Sequence, residues 1–225
     1  MESAESARRF SIDPVQLIDG DAGLIADFIS RPQSDAYFAV LLDLVDWEQH
    51  FIRIHGREVA SPRLSAWYGD PEAHYSYSGL SLEPRPWLPV IAELKARVEA
   101  ACDAPFNSVL LNLYRDGVDS MGWHSDDEHE LGERPVIASL SLGATRRFRL
   151  RHRRRKELEP VAIDLENGSL LIMKGDTQRF WKHQVTKTRR VVEARVNLTF
   201  RNIRQPPPKG QAEFPSGGKL RLDHV

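Results

Sequence analysis

Between residues 107 and 201 the chain is built of short runs with a two-residue period, at 107–114, 136–142, 147–151, 161–165, 169–173 and 191–201, punctuated by Gly, Pro or Asn. Period two belongs to strands with two distinct faces, so this half of the chain is committed to a β core. Ahead of it, Pro86 and Pro89 open a stretch in which Ile91, Leu94, Val98 and Ala101 recur at three- and four-residue steps, which predicts a helix over 87–101. A second helix is expected from Ser34, as N-cap, to Trp47, with Tyr37, Val40, Leu41 and Leu44 on its apolar face. A few helices followed by many short strands give an α+β chain, a jelly-roll or cupin-like β-sandwich backed by N-terminal helices.

The remaining segments are read around that core. Residues 1–30 are a polar lead-in with a short amphipathic helix near Leu24, Ile25 and Phe28, and 31–204 form one domain. Within it, 50–66 are expected to make a hairpin turning at His55-Gly56-Arg57 and the aromatic stretch 67–86 a loop-rich segment, the two together forming a lid over about 50–86. Residues 205–225, rich in Pro, Gly and Lys, read as a flexible tail. Cys102 is the only cysteine, which fits a reducing compartment. The chain opens without a secretory signal, and no run approaches the ~18 apolar residues of a membrane span. A monomer is expected, cytoplasmic in a bacterium or nuclear in a eukaryote, with no membrane partner.

The chemistry concentrates in NLYRDGVDSMGWHSDDE, residues 112–128. His124 and Asp126, two apart, project the same way from extended backbone. His183, in FWKHQV, is the later histidine in a strand-rich context; His152 sits inside a basic run and His224 in the tail. Two imidazoles and one carboxylate leave about half of an octahedron open, the facial arrangement of non-haem iron oxygenases. The same set also describes a zinc centre with a bound water. Two strands carry polar residues on one face. Val109, Leu111 and Leu113 alternate with Leu110, Asn112 and Tyr114, and Val196, Leu198 and Phe200 with Arg195, Asn197, Thr199 and Arg201. Either face alone is ordinary solvent exposure. Both together, each near a proposed ligand, suit an anion whose carboxylates arginine binds through its planar fork.

These segments, with PVIASLSLGATRRF and ENGSLLIMKGDTQRFWKH, resemble the AlkB family of Fe(II)- and 2-oxoglutarate-dependent dioxygenases, particularly its branch that repairs alkylated nucleic acid. The similarity runs from about Arg63 to Arg201. It implies a double-stranded β-helix, with iron on His124, Asp126 and His183. It further implies 2-oxoglutarate on Arg195, with Asn112, Tyr114, Asn197 and Arg201 lining its pocket. The reaction implied consumes O2 and removes N-linked alkyl groups from bases, releasing formaldehyde, succinate and CO2.

Reaching such a group requires an unpaired or flipped base held between flat side chains. The resemblance implies Tyr77 as the stacking residue, Tyr75 and Trp67 as further contacts, and Asp127 as a reader of the base edge; Arg63 is a further candidate for substrate contact. The turn Ile54-His55-Gly56-Arg57 lacks the bulky apolar finger of duplex-specialised members, which favours single-stranded or locally opened DNA, with RNA open. Residues 146–156, RRFRLRHRRRK, hold eight basic residues in eleven despite a net charge of -1. They read either as phosphate contacts or as a solvated edge. A dioxygenase of the same fold acting on protein, lipid or a small molecule, and a non-catalytic nucleic-acid-binding module, are the alternatives.

Overall fold

The structure, a computed structural model, describes residues 10–54, 57–73, 75–77, 80–82 and 84–204, with side chains outside 52–58 and 74–83. In chain order β1 (Asp13–Val15) and β2 (Asp21–Ile25) precede α1 (Arg31–Leu44). Then come β3 (Phe51–Ile54), β4 (Arg57–Ala60), β5 (Leu64–Gly69), β6 (Tyr75–Tyr77), β7 (Leu80–Leu82) and α2 (Pro89–Cys102). The second half holds β8 (Ser108–Tyr114), β9 (Met121–His124), β10 (Ile137–Gly143), β11 (Arg146–His152), β12 (Val161–Leu165) and β13 (Leu170–Lys174). A short α3 (Thr177–Phe180), β14 (Trp181–Val185) and β15 (Arg195–Arg201) complete it.

A major sheet in the order β1-β2-β13-β10-β15-β8-β5 and a minor sheet in the order β12-β11-β14-β9 make the jelly roll. Strand neighbours are mostly distant in sequence: β10 pairs with β15, and β15 with β8, so the fold closes only when the C-terminal strand is laid down. The major sheet is buried on both faces. Val109, Leu111, Val196, Leu198 and Phe200 pack outward beneath Leu41 of α1 and Ile91, Leu94 and Val98 of α2. Each such side chain contributes roughly 1.5–3 kcal/mol by leaving water. Inside the roll, Tyr114, Leu171 and Met173 are in one cluster with Phe148, Leu150, Trp181 and Val185 of the minor sheet. The face that alternation marks as polar therefore looks into the protein. Asn112, Arg195, Asn197 and Thr199 are all buried there.

Two expectations are corrected. The piece around Leu24 and Ile25 is not a helix but β2, whose residues 21–25 pair with β13 from Leu170 to Lys174. Tertiary pairing overrides a spacing too short to hold a helix of its own. The first long helix starts before Ser34, after Ser30, with Pro32 in its first turn, where a missing N–H costs nothing. Its buried face is Ser34 and Leu41, with Tyr37 and Phe38 half-buried; Val40 and Leu44 are 40% and 50% exposed, and Trp47 lies beyond its end. Ser34 is drawn in by the β12–β13 turn. Gly168 there has φ +83°, and a Cβ on it would stand 2.2 Å from the Ile29 carbonyl.

The hairpin expected over 50–66 is β3 and β4, but its turn at His55 and Gly56 lies outside the described residues. The segment expected as loop contains a second hairpin, β6 paired with β7, with Tyr75 opposite Leu82 and Tyr77 opposite Leu80. The tail at 205–225 lies outside the described residues. The basic run divides by strand alternation: along β11, Arg147 and Arg151 face solvent while Arg146, Phe148, Leu150 and His152 are buried.

Candidate active site

His124 and His183 are cross-strand partners on β9 and β14, with ring centroids 4.1 Å apart. A bulge between β9 and β14 at this point aims both rings into the roll. Asp126 follows just beyond the end of β9 and is 2% exposed. One ligand atom from each of the three lies within 4.8 Å of the others, and among the described residues this is the one such cluster.

Each ligand is held by a second contact. The Gly122 carbonyl can only accept, so at 2.8 Å it fixes the proton on Nδ1 of His124 and leaves Nε2 as the donor atom. The Asp126 amide donates to Gln178 Oε1 at 2.9 Å, while Arg201 Nη2 donates to Asp126 Oδ1 at 2.5 Å. Oδ2 is turned toward His183 Nε2, 3.6 Å away. Phe148 stacks on His183 from below, with centroids 5.2 Å apart.

Electrostatics prepare the set for a cation. Burial alone would raise the Asp126 pKa, but the charge of Arg201, with His183 and His124, outweighs it and holds the carboxyl well below the usual carboxylate range. Burial, reinforced by His124, pushes His183 down to about 3 against the opposing pull of Asp126. At neutral pH the site offers a carboxylate and a neutral imidazole without releasing a proton from either. Unfolded histidine takes up a proton near pH 6.5, whereas folded His183 resists until about pH 3, so stability falls with pH across that window. Lowering the metal-free protein from pH 6.5 to 5 should remove on the order of 2 kcal/mol through His183, with Asp126 adding a loss only at lower pH. Urea unfolding at the two pH values checks this, and His183→Asn should abolish most of the difference; an unchanged difference in that variant contradicts it.

Across the roll, β15 and β8 present a second group of polar residues. Arg195 lies opposite Tyr114, and Asn197 opposite Asn112. Arg195 Nη2 donates to Ser141 Oγ at 2.8 Å, while its Nε and Nη1 are buried without a partner. Burial lowers its pKa to about 10, so it is still a cation at neutral pH. A buried guanidinium with two unsatisfied nitrogens is a seat for a carboxylate, and its cost is met only when one arrives. Asn197 Nδ2 donates to Ser139 Oγ at 2.8 Å and to the Leu140 carbonyl at 2.9 Å. Neutral and anionic donors on one wall and a guanidinium without a carboxylate partner on another fit ferrous iron with a dicarboxylate.

The other expected site residues are distributed differently. Arg63, expected against substrate, donates through Nε to Asn112 Oδ1 at 2.7 Å and so braces the polar strand face. Arg201, expected in the dicarboxylate pocket, makes its described hydrogen bond to the metal-facing Asp126. Trp67 is half-buried against the inner apolar cluster. The side chains of Tyr75 and Tyr77 lie outside the described residues. Asp127 takes a hydrogen bond from Arg153 Nη1 at 2.5 Å, at the mouth of a cleft of about 560 Å³ that Gly132, Arg134, Asp176 and Gln178 also line.

Gln178, Ser139 and Ser141 are absent from the sequence reading, and Arg146 and Arg153 enter it only as members of the basic run 146–156. Ser139 and Ser141 were accessible to it, because SLSLG repeats the polar-in alternation of the other two strands. Gln178 and Arg153 carry no local signal; their partners lie 52 and 26 residues away.

A family model described as the 2OG-Fe(II) oxygenase superfamily matches residues 21–201. The chain is 45% identical over 195 residues to the alpha-ketoglutarate-dependent dioxygenase alkB homolog 3 of Rattus norvegicus, covering 83% of this chain and 65% of that protein. It is 43% identical over 158 residues to the DNA oxidative demethylase ALKBH2 of Mus musculus, covering 68% of this chain and 66% of that one. The chain thus spans slightly under two thirds of the length of these two relatives. Its fold matches a solved structure titled "The structure of OsALKBH1" with a TM-score of 0.61 at 19% identity, over 84% of this chain and all of the other.

Proposed function

Because this chain belongs to the AlkB family within the 2OG-Fe(II) oxygenase superfamily, we propose that it is an iron(II)- and 2-oxoglutarate-dependent dioxygenase that removes N-linked methyl groups from nucleic-acid bases. The observation that carries the reading is the pairing of two features: a His-Asp-His cluster in which Asp126 and His183 are buried and His124 half-buried, and on the other sheet a buried guanidinium with two unsatisfied nitrogens. His124, Asp126 and His183 would hold the iron, and Arg195 the far carboxylate of 2-oxoglutarate. Iron and 2-oxoglutarate, when bound there with O2, would supply the oxidising chemistry: one oxygen atom would go to succinate as the keto acid loses CO2 and the other to the methyl carbon, whose hydroxylated product would release formaldehyde and restore the base.

The chain's own residues contribute geometry and dryness rather than acid or base strength. Gly122 and Gln178 orient His124 and Asp126, and Arg201 keeps the Asp126 carboxylate charged and turned one way. Ser141 fixes the fork of Arg195 so that its other two nitrogens face the ligand. Asn112 and Asn197, locked by Arg63 and Ser139, line the space between. In this reading Tyr75 and Tyr77, both on β6, stack on a flipped base, with Trp67 as a further contact and Asp127 reading the base edge.

The relatives include proteins named DNA oxidative demethylase, which supports DNA as substrate. In the turn sequence Ile54-His55-Gly56-Arg57, His55 in place of a bulky apolar finger supports single-stranded or opened strands. In this reading the domain spans 31–204 together with the β1–β2 hairpin, works as a monomer, and acts in the bacterial cytoplasm or the eukaryotic nucleus. No helix among the described residues is long and apolar enough to cross a membrane. The test supplies iron(II), 2-oxoglutarate and oligonucleotides bearing an N-methylated base as single-stranded DNA, duplex DNA and RNA. Equal succinate and formaldehyde are expected, fastest on single-stranded DNA. A strong duplex preference contradicts the strand assignment. Formaldehyde from none of the three removes nucleic acid as the substrate and returns protein, lipid or small-molecule hydroxylation.

A further inference from the structure

Arg146 opens the basic run but does not belong to the surface: it is 2% exposed. Its Nη1 donates to the Asp116 carbonyl at 2.9 Å, and its Nη2 to the carbonyls of Asp119 and Thr186 at 2.7 and 2.8 Å. One guanidinium therefore ties the loop after β8 to the end of β14. That loop has little slack, since a Cβ on Gly117 would stand 2.6 Å from the Thr188 carbonyl. The nearest carboxylate in the loop, Asp119, is already engaged by Arg115, which donates to it from its amide, Nε and Nη2 at 2.8–2.9 Å.

The same guanidinium lies 5.4 Å from the centre of the Tyr114 ring, and that of Arg195 lies 5.2 Å from the same centre. Arg195 reaches the ring as its cross-strand partner in the major sheet, whereas Arg146 reaches it from the minor sheet. A buried phenol with a cation from each layer is an arrangement that folding alone disfavours. Like charges repel most where water is excluded, and among the described residues no carboxylate pairs with Arg195. An anion entering beside the ring reverses that cost.

We propose that Arg146 is a positioning residue for the co-substrate: it sets the Tyr114 ring and the 115–119 loop, and adds its charge to the pocket where Arg195 receives the far carboxylate of 2-oxoglutarate. This rests on the dioxygenase reading. Lysine cannot replace it, because a point charge does not offer a planar fork that serves three carbonyls and lies over a ring at once.

Titration calorimetry of 2-oxoglutarate into the full chain loaded with Mn(II), in the absence of turnover, tests both levels separately. Failure of the wild type to bind sinks the dioxygenase reading and this inference together. If the wild type binds, Arg146→Lys is expected to raise the Kd for 2-oxoglutarate about tenfold or more at unchanged Mn(II) affinity. Combining it with Tyr114→Phe should cost less than the product of the two separate losses. An Arg146→Lys Kd within twofold of wild type, or losses that simply multiply, overturns the role and leaves Arg146 a structural clamp. Should the variant fail to fold, hydrogen exchange on the wild type decides: 2-oxoglutarate is expected to slow amide exchange across 115–119, and unaltered exchange there overturns the proposal.

Discussion

Asp126→Ala is expected to abolish succinate formation, with His124→Ala and His183→Ala close behind. A structural zinc site of four ligands yields about 10–16 kcal/mol, or roughly 2.5–4 kcal/mol per ligand, so losing one ligand weakens metal binding on the order of 10²–10³-fold. Asp126 should be the worst of the three, because it is the one anion in the cluster. Its loss leaves two imidazoles beside the Arg201 guanidinium, which otherwise bonds to it at 2.5 Å, so the remaining field repels a cation. The measurement is succinate release at micromolar iron together with direct metal titration. Turnover in Asp126→Ala within tenfold of wild type would show that the metal sits elsewhere.

The second large effect separates binding from stability. Arg195→Met keeps length and apolar bulk but removes a cation that is 1% exposed and lacks a counter-charge among the described residues. A fork on a carboxylate in a dry site is worth about 2–5 kcal/mol, so the affinity for 2-oxoglutarate should fall by about 30- to 5,000-fold. Meanwhile the metal-free fold should be as stable as wild type or more so, since burying an uncompensated guanidinium costs several kcal/mol. Calorimetry with 2-oxoglutarate and thermal unfolding of the same preparation read the two quantities. A variant that binds normally, or that is destabilised by several kcal/mol, contradicts the role given to Arg195.

How far the sequence speaks depends on how local the governing interaction is. RVNLTFR announces its own geometry, because a strand with Val196, Leu198 and Phe200 on one side must bury that side, and Arg195 and Asn197 then face a second layer. The α2 helix is legible for the same reason, its apolar residues being spaced for one face. The ligand-bearing strands β9 and β14 are less so: MGWH and WKHQV are short, bulged against each other and rich in residues that suit either state. The piece around Leu24, Ile25 and Phe28 reads as helix because those residues fit a helical step, and only pairing of β2 with β13, nearly 150 residues on, decides otherwise. Arg146 could not be told from its neighbours in a row of arginines. Its burial comes from strand alternation combined with carbonyls supplied by loops 27 to 40 residues away.

The central claim is one of convergence, and the most direct measurement is a crystal structure of the protein with Mn(II) and 2-oxoglutarate grown without oxygen. The expected result is a metal bound by Nε2 of His124, a carboxylate oxygen of Asp126 and Nε2 of His183. The keto acid should chelate it from the open side, its far carboxylate resting on Arg195 Nε and Nη1. A metal closed off by a fourth protein ligand, or a keto acid whose far carboxylate lies away from Arg195, would contradict the account.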